Sequence, residues 1–152
     1  MPAKGIMAED TFDLDRAERL LPQLERWLKA AIDSRKRVAE LEAQEARQVQ
    51  RVSMSGGQLL DIGSLIRRRE EKDQWIASLR AAADEIESAG CLLKDLNIGL
   101  IDFPCELDGR EVYLCWKLGE PAIRFWHNTD EGYAGRKPID AAMMERLRSQ
   151  SQ

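Results

Sequence analysis

The chain has 152 residues, of which 43% are hydrophobic and 33% charged, so it is long enough for one domain with its own core. Its formal net charge is −4, with 23 basic and 27 acidic residues. That balance argues against general nucleic-acid binding, which requires a broad basic surface. No stretch approaches the roughly 18 apolar residues of a membrane span, so we expect no membrane-spanning segment and no membrane partner.

The N-terminus and the cysteines indicate an intracellular chain. Residues 1–10 contain Lys4 but no continuous apolar run, so we interpret them as a flexible leader rather than a secretory signal. The three cysteines, Cys91, Cys105 and Cys115, have no CxxC spacing. This disfavours a disulfide framework or a structural zinc site, and we expect reduced thiols, a cytoplasmic location and no cofactor.

The first third of the chain has the apolar periodicity of one long helix, over residues 14–52. Asp13 suits the N-cap, because its carboxylate can accept a backbone N–H of the first turn. The pattern breaks at the Ser-Gly-Gly sequence of residues 55–57. We therefore expect the helix to end just before this break.

A second helix is predicted from about Asp61 to Gly90, since glycine suits the left-handed position after a helix. Two long helices joined by a short glycine-containing loop predict an antiparallel αα-hairpin. Folding about the glycines places Glu42 and Glu45 opposite the basic residues of the 67–72 segment. Opposite charges at facing positions favour this register, although each exposed pair contributes only about 0–1 kcal/mol.

The length of the first helix predicts self-association. At about 1.5 Å per residue, residues 14–52 span roughly 57 Å, whereas a compact domain of this size is about 40 Å across. The hairpin must therefore protrude, and we expect a second copy to cover it in a dimer with four-helix, coiled-coil-like packing. The residues expected at this interface are Leu41, Val49, Val52, Ile62 and Leu65.

Residues 91–139 have the pattern of a small antiparallel three-stranded β-meander. Asp108-Gly109 is a strong signal for a two-residue hairpin turn. This turn makes Phe103 face Leu114 on an apolar side of the sheet and makes Asp102 face Cys115 on the opposite, polar side.

A second turn through residues 119–122 returns the chain as the third strand. If Leu118 faces Ile123, His127 lies on the apolar side, away from Cys115. That separation disfavours Cys115 as a nucleophile, which would need His127 beside it. The same register assigns Phe125 and His127 to the apolar side, and Arg124 and Trp126 to the polar side.

Several short motifs of the β unit resemble an uncharacterised prokaryotic family. They are Asp102-Phe103-Pro104, Leu114-Cys115-Trp116, Gly119-Glu120, Trp126-His127 and Gly132-Tyr133-Ala134-Gly135-Arg136. With the opening FDLDRAERLLPQL of residues 12–24, they are similar to domain of unknown function family 2203. The resemblance covers most of residues 12–139 and supports the fold, but it implies no activity and no catalytic residue.

These observations predict a single α+β domain over residues 11–139, with the helical hairpin at 11–90 and the β unit at 91–139. Residues 140–152 lie beyond the family's core and are expected to form a C-terminal extension. A short helix there would carry Met143, Met144 and Leu147 on one side.

One polar group in the β unit is a candidate ligand-binding site; its residues are His127, Asp130, Glu120, Arg136 and Asp102. His127 with a carboxylate could bind a metal, or it could act as a general base while Arg136 holds an anion. However, one histidine with scattered acids lacks the ligand spacing of a recognisable metal site, so we assign no metal ligand. In the alternative, these residues have only a structural role: His127 stabilises the sheet edge, and Arg136 pairs with Asp102 or Asp130.

The leading hypothesis is a non-enzymatic protein-interaction module that self-associates through its hairpin, with a further protein partner left open. The alternative is a small-ligand- or metal-binding protein, including a minor hydrolase, that uses His127 and nearby carboxylates. Neither hypothesis assigns a catalytic residue.

Overall fold

The computed structural model describes residues 11–54, 56 and 61–149. The expected leader at residues 1–10 and the end of the tail at 150–152 lie outside these residues. The elements are α1 (Leu14–Met54), α2 (Ile62–Ser88), β1 (Leu92–Asp95), β2 (Leu100–Leu107), β3 (Arg110–Lys117), β4 (Phe125–Asn128), a 3-10 helix (Tyr133–Gly135), β5 (Lys137–Pro138) and α3 (Ala141–Ser149). The predicted α+β class is confirmed, although the antiparallel sheet has five strands rather than three. No described helix is long and apolar enough to cross a membrane.

The ends of the hairpin helices follow the predicted capping residues. Asp13 Oδ1 accepts a hydrogen bond from the Arg16 backbone N–H at 2.7 Å. Asp61 Oδ1 does the same for the Ser64 N–H at 3.1 Å. Gly90 follows α2 with a φ of +96°, in the left-handed region that glycine adopts without steric cost.

Charged side chains on facing helix positions fix the register of the hairpin. Lys72 Nζ lies 3.9 Å from a carboxylate oxygen of Glu42 and 3.8 Å from one of Glu45. One turn earlier in α2, Arg68 donates to the side chain of Gln48. These contacts confirm the predicted pairing of the two acidic residues with the basic segment of α2.

The hydrophobic core lies at one end of the hairpin. The buried residues of α1 all lie between Leu14 and Leu41. In α2 the buried residues are Ala82 and Ile86, close to its C-terminal end. The core therefore joins the first half of α1 and the last turns of α2 to the sheet, and the remaining hairpin extends beyond it.

Two short segments complete the core. The Phe12 backbone N–H donates to Pro104 O at 2.7 Å, and the Phe12 ring packs edge-to-face on Phe103 at 5.3 Å. At the other end of the chain, Met143 and Leu147 of α3 are buried in the same cluster. This confirms the predicted short helix and its apolar side.

The sheet runs in the order β1-β2-β3-β4-β5. β2 and β3 pair in the predicted register, with Phe103 opposite Leu114 and Asp102 opposite Cys115. The turn between them has positive φ at both Asp108 (+52°) and Gly109 (+86°), as a type I′ hairpin turn requires. The side that carries Phe103 and Leu114 is the core face, and the side that carries Asp102 and Cys115 is called the polar face below.

The predicted register between β3 and β4 was wrong by one residue. The structure pairs Leu114 with Trp126 and Tyr113 with His127. Because side chains alternate between the two faces of a strand, a slip of one residue moves all of them to the opposite face. Trp126 therefore packs against the core, and His127 and Phe125 lie on the polar face with Cys115.

The connection between β3 and β4 explains this error. Leu118 and Ile123 do not pair with each other: the Leu118 N–H donates to Gly99 O at 3.0 Å. The Ile123 N–H points to α1 and donates to a carboxylate oxygen of Glu18 at 3.3 Å. Residues 118–124 thus form a loop, and a loop of this length does not dictate the register as a two-residue turn does.

Candidate functional site

Three neighbouring strands bring Asp102, Cys115 and His127 together on the polar face. Asp102 lies on β2 directly opposite Cys115 on β3, and His127 lies on β4 two residues after Phe125, the partner of Cys115. One potential ligand atom from each side chain lies within 4.8 Å of the other two. All three residues are at most 1% exposed. We call this group the Asp-Cys-His cluster.

Both ring nitrogens of His127 face hydrogen-bond acceptors. Nδ1 lies 2.8 Å from the backbone oxygen of Asn128, and Nε2 lies 3.0 Å from Oδ2 of Asp102. A carbonyl oxygen only accepts, so Nδ1 carries a hydrogen. The contact between Nε2 and Oδ2 then holds the ring between Asn128 and Asp102.

Only one of the two carboxylate oxygens of Asp102 has a hydrogen-bond partner. Its Oδ2 contacts His127, whereas its Oδ1 is buried and has no partner with hydrogen-bond geometry. The Cys115 thiol lies close to this carboxyl group. Burial raises the pKa of the thiol to about 12, and the charge of Asp102 and a hydrogen-bond interaction with its carboxylate act in the same direction. The Arg136 guanidinium acts in the opposite direction on Cys115 but is outweighed. The thiol is therefore protonated at neutral pH.

The cluster brings Cys115 beside His127, which contradicts the predicted placement of the two on opposite faces. It still does not form an activated nucleophile. A thiolate is generated when a nearby base accepts the thiol proton or when the thiol pKa is lowered. Here both nitrogens of His127 are engaged elsewhere, and the pKa of Cys115 is raised.

Glu120 and Arg136 form a separate ion pair at the border of the polar face. Nη2 of Arg136 lies 2.9 Å and 2.8 Å from the two carboxylate oxygens of Glu120. Glu120 also accepts the backbone N–H of Lys117 at 2.7 Å, which ties the loop after β3 to this pair. Arg136 therefore pairs with Glu120, and the expected pairing with Asp102 or Asp130 was wrong.

Arg136 also covers part of the polar face. Its guanidinium carbon lies 3.8 Å from the ring centre of Phe125, which pairs with Cys115 across β3 and β4. The Tyr133 ring lies 5.0 Å from the same guanidinium carbon. Cation–π contacts of this kind favour a fixed side-chain position. The 3-10 helix and Arg136 thus lie over the side of the sheet that holds the cluster.

Asp130 does not join the other predicted site residues. It is exposed, and its neighbour Glu131 makes the local contacts instead. Glu131 accepts the backbone N–H of Asn128 at 2.8 Å and pairs with Lys137 at 2.5 Å. The Lys137 ammonium is the main group that holds the pKa of Glu131 below its usual value. The five predicted residues are thus divided into a His127–Asp102 pair, a Glu120–Arg136 pair and an exposed Asp130.

Cys115 is the one cluster residue that was not among the predicted site residues. Its position opposite Asp102 was predicted, but the wrong β3–β4 register removed His127 from its vicinity. A correct pairing of Leu114 with Trp126, two apolar residues, would have placed all three cluster residues on one face.

The predicted interface residues of the hairpin differ in exposure. Leu41 is only 2% exposed and is already covered within one chain, whereas Val49 and Ile62 are 58% and 65% exposed. Val52 and Leu65 are half-buried. Two further apolar residues are exposed in the same region, Met54 and Ile66.

Comparison with protein-family models matches residues 10–139 to DUF2203, described as an uncharacterized conserved protein. The match includes the hairpin and all five strands. No curated protein and no solved structure matches the chain.

Proposed function

We propose that this chain, which belongs to the DUF2203 family of uncharacterized conserved proteins, is a protein-interaction module that self-associates through its distal hairpin. The distal hairpin comprises residues 42–54 of α1 and 61–72, which include the start of α2. The observation that carries the proposal is a group of exposed apolar side chains in this region. They are Val49, Met54, Ile62 and Ile66, exposed by 58%, 80%, 65% and 52%.

Within the part of the chain that the structure describes, these side chains stay uncovered. At about 1.5 Å per residue, the 41 residues of α1 extend for about 60 Å. No residue of α1 beyond Leu41 is buried, and among the described residues each helix of this part of the hairpin packs against the other one alone. Two helices bury one side of each other, so a helical pair needs further helices to cover its remaining apolar side chains.

The charges of the distal hairpin favour a second copy as the occupant. A shallow groove there is lined by the apolar residues Ala46 and Val49 and by the charged residues Glu42, Glu45 and Lys72. In a two-fold dimer the same patch meets itself, so a patch with both signs of charge can be complementary to its own copy. A patch of one sign would repel its copy instead.

The experiment compares two exposed isoleucines. Ile66→Glu places a charge in the distal hairpin, and Ile98→Glu is the matched control in the β1–β2 turn, where Ile98 is 41% exposed. Light scattering should give a dimer mass for the wild type and for Ile98→Glu, and a monomer mass for Ile66→Glu at the same concentration. Circular dichroism checks that both variants remain helical.

An equal effect of the two substitutions, or no effect of Ile66→Glu on a dimeric wild type, would reject the distal hairpin as the interface.

We also propose that the module acts in the cytoplasm. The support for this location is that Cys91, Cys105 and Cys115 are all free thiols. Cell fractionation tests it, and recovery in a secreted or periplasmic fraction would contradict it.

A further inference from the structure

The Asp-Cys-His cluster contains two features that suit a bound cation. Oδ1 of Asp102 is buried without a partner, and such a group costs about 1–3 kcal/mol when it is removed from water. The Cys115 thiol is also buried, next to a carboxylate and an imidazole. We propose that Asp102, Cys115 and His127 bind one Zn²⁺ ion.

The donor atoms suit zinc in type and spacing. Thiolate sulfur, imidazole nitrogen and carboxylate oxygen are its usual protein ligands, at about 2.0–2.3 Å, which places tetrahedral ligand atoms about 3.3–3.8 Å apart. In the cluster the three atoms lie within 4.8 Å of one another. Small side-chain movements therefore bring them to bonding distance, with one coordination position left for the second oxygen of Asp102.

His127 is already oriented as a ligand. A metal-binding histidine almost always donates its second ring N–H to a carbonyl or carboxylate, which fixes the ring. Nδ1 of His127 makes this contact with Asn128 O at 2.8 Å. The nitrogen directed at Asp102 is Nε2, and this is the atom that would bind the ion.

The charges also balance for a divalent ion. A thiolate and a carboxylate together carry a charge of −2 and a neutral imidazole adds none, so the three ligands balance the +2 charge of Zn²⁺. The bound site would therefore place no net charge in the protein interior.

The positive charge of Arg136 does not repel the ion strongly, because it is paired. Its guanidinium is neutralised by Glu120 at 2.8 Å. The pair lies beside the cluster and excludes water, since Arg136 and Glu120 are only 9% and 21% exposed. A dry environment strengthens the attraction between the ion and its anionic ligands.

The experiment starts from the full chain, stripped of metal with a chelator under reducing conditions. Titration with Co²⁺, a spectroscopic substitute for zinc, should produce a thiolate-to-cobalt charge-transfer band at one ion per chain. Zn²⁺ should abolish this band by displacement. At about 100 times its Kd, Zn²⁺ should also raise Tm by about 5–10 °C.

Three variants distinguish zinc binding by the cluster from zinc binding by other thiols. Cys115→Ser and His127→Gln should weaken Zn²⁺ binding by more than about 100-fold, because each removes a direct ligand. Cys105→Ser is the matched control: its thiol is equally buried, and burial likewise raises its pKa to about 12, but it lies on the core face. It should bind Zn²⁺ as the wild type does.

Several results would overturn the proposal. One is the absence of the thiolate band in wild-type protein, a result that needs no folded variant. Others are unchanged binding in Cys115→Ser, or equal losses in Cys105→Ser and Cys115→Ser. Any of these would leave the cluster as a hydrogen-bonded structural element of the sheet.

Discussion

His127 Nε2 lies 3.0 Å from Asp102 Oδ2, and both side chains are 2% exposed. This contact crosses the strand between them, because Asp102 lies on β2, His127 on β4 and Cys115 on β3. The histidine also makes a hydrogen bond from Nδ1 to the Asn128 carbonyl oxygen. One side chain thus links the central strands of the sheet in a region that water does not reach.

Loss of the histidine should destabilise the fold strongly. In metal-free protein, His127→Ala leaves the buried Asp102 carboxylate without a partner, and we expect a loss of about 3–5 kcal/mol in the free energy of unfolding. Urea denaturation measures it. The control is Lys29→Gln, which removes an exposed pair with Glu25 (62% and 50% exposed) and should cost less than about 1 kcal/mol. A loss below about 1 kcal/mol for His127→Ala would contradict the importance of the buried pair.

Gly99 should be far less tolerant of a side chain than Gly109. Both have positive φ, +66° and +86°, and alanine in this region costs about 1–2 kcal/mol. A Cβ at Gly99 would also lie 2.6 Å from Leu118 Cβ, whereas a Cβ at Gly109 meets nothing within 4 Å. The overlap should add about 1–3 kcal/mol for Gly99→Ala. Equal Tm values for the two variants would show that Leu118 does not approach Gly99 in solution.

The buried thiols predict a loss of stability in alkali. Burial raises the pKa of Cys91, Cys105 and Cys115 from 9.0 to about 12. Above pH 9 the thiols therefore ionise in the unfolded chain but not in the folded one. Their contribution is fully present below pH about 9 and is lost as the pH rises towards about 12, by up to about 1.4 kcal/mol per thiol and pH unit.

Unfolding in urea at several pH values measures this dependence. Cys105→Ala should lose stability less steeply than the wild type over the same alkaline range, because one of the three thiols is gone. Since the comparison uses slopes, the cost of the cavity left by the substitution does not affect it. Parallel curves for the two proteins would show that ionisation of the Cys105 thiol is not coupled to unfolding.

Local signals in the sequence were sufficient for much of the fold. Asp13, Asp61 and Gly90 mark helix ends through their own chemistry, and Asp108-Gly109 dictates a turn that sets the β2–β3 register. Each of these features depends on residues close to one another in the chain. The predictions based on them were confirmed.

The candidate site depended on contacts between distant residues, which local patterns do not encode. The β3–β4 loop contacts Glu18 on α1, over a hundred positions away in sequence. The observed register differs by one residue from the predicted one and brings His127 to the same face as Cys115. Similarly, the local sequence did not distinguish Asp130 from Glu131, because the choice between two adjacent carboxylates depends on Asn128 and Lys137.

The most direct test of the proposed function is sedimentation equilibrium of the wild-type chain over a range of micromolar concentrations. The exposed apolar side chains of the distal hairpin predict a mass of about 35 kDa, twice the 17.3 kDa of one chain. A mass of 17.3 kDa at every concentration would contradict self-association through the hairpin.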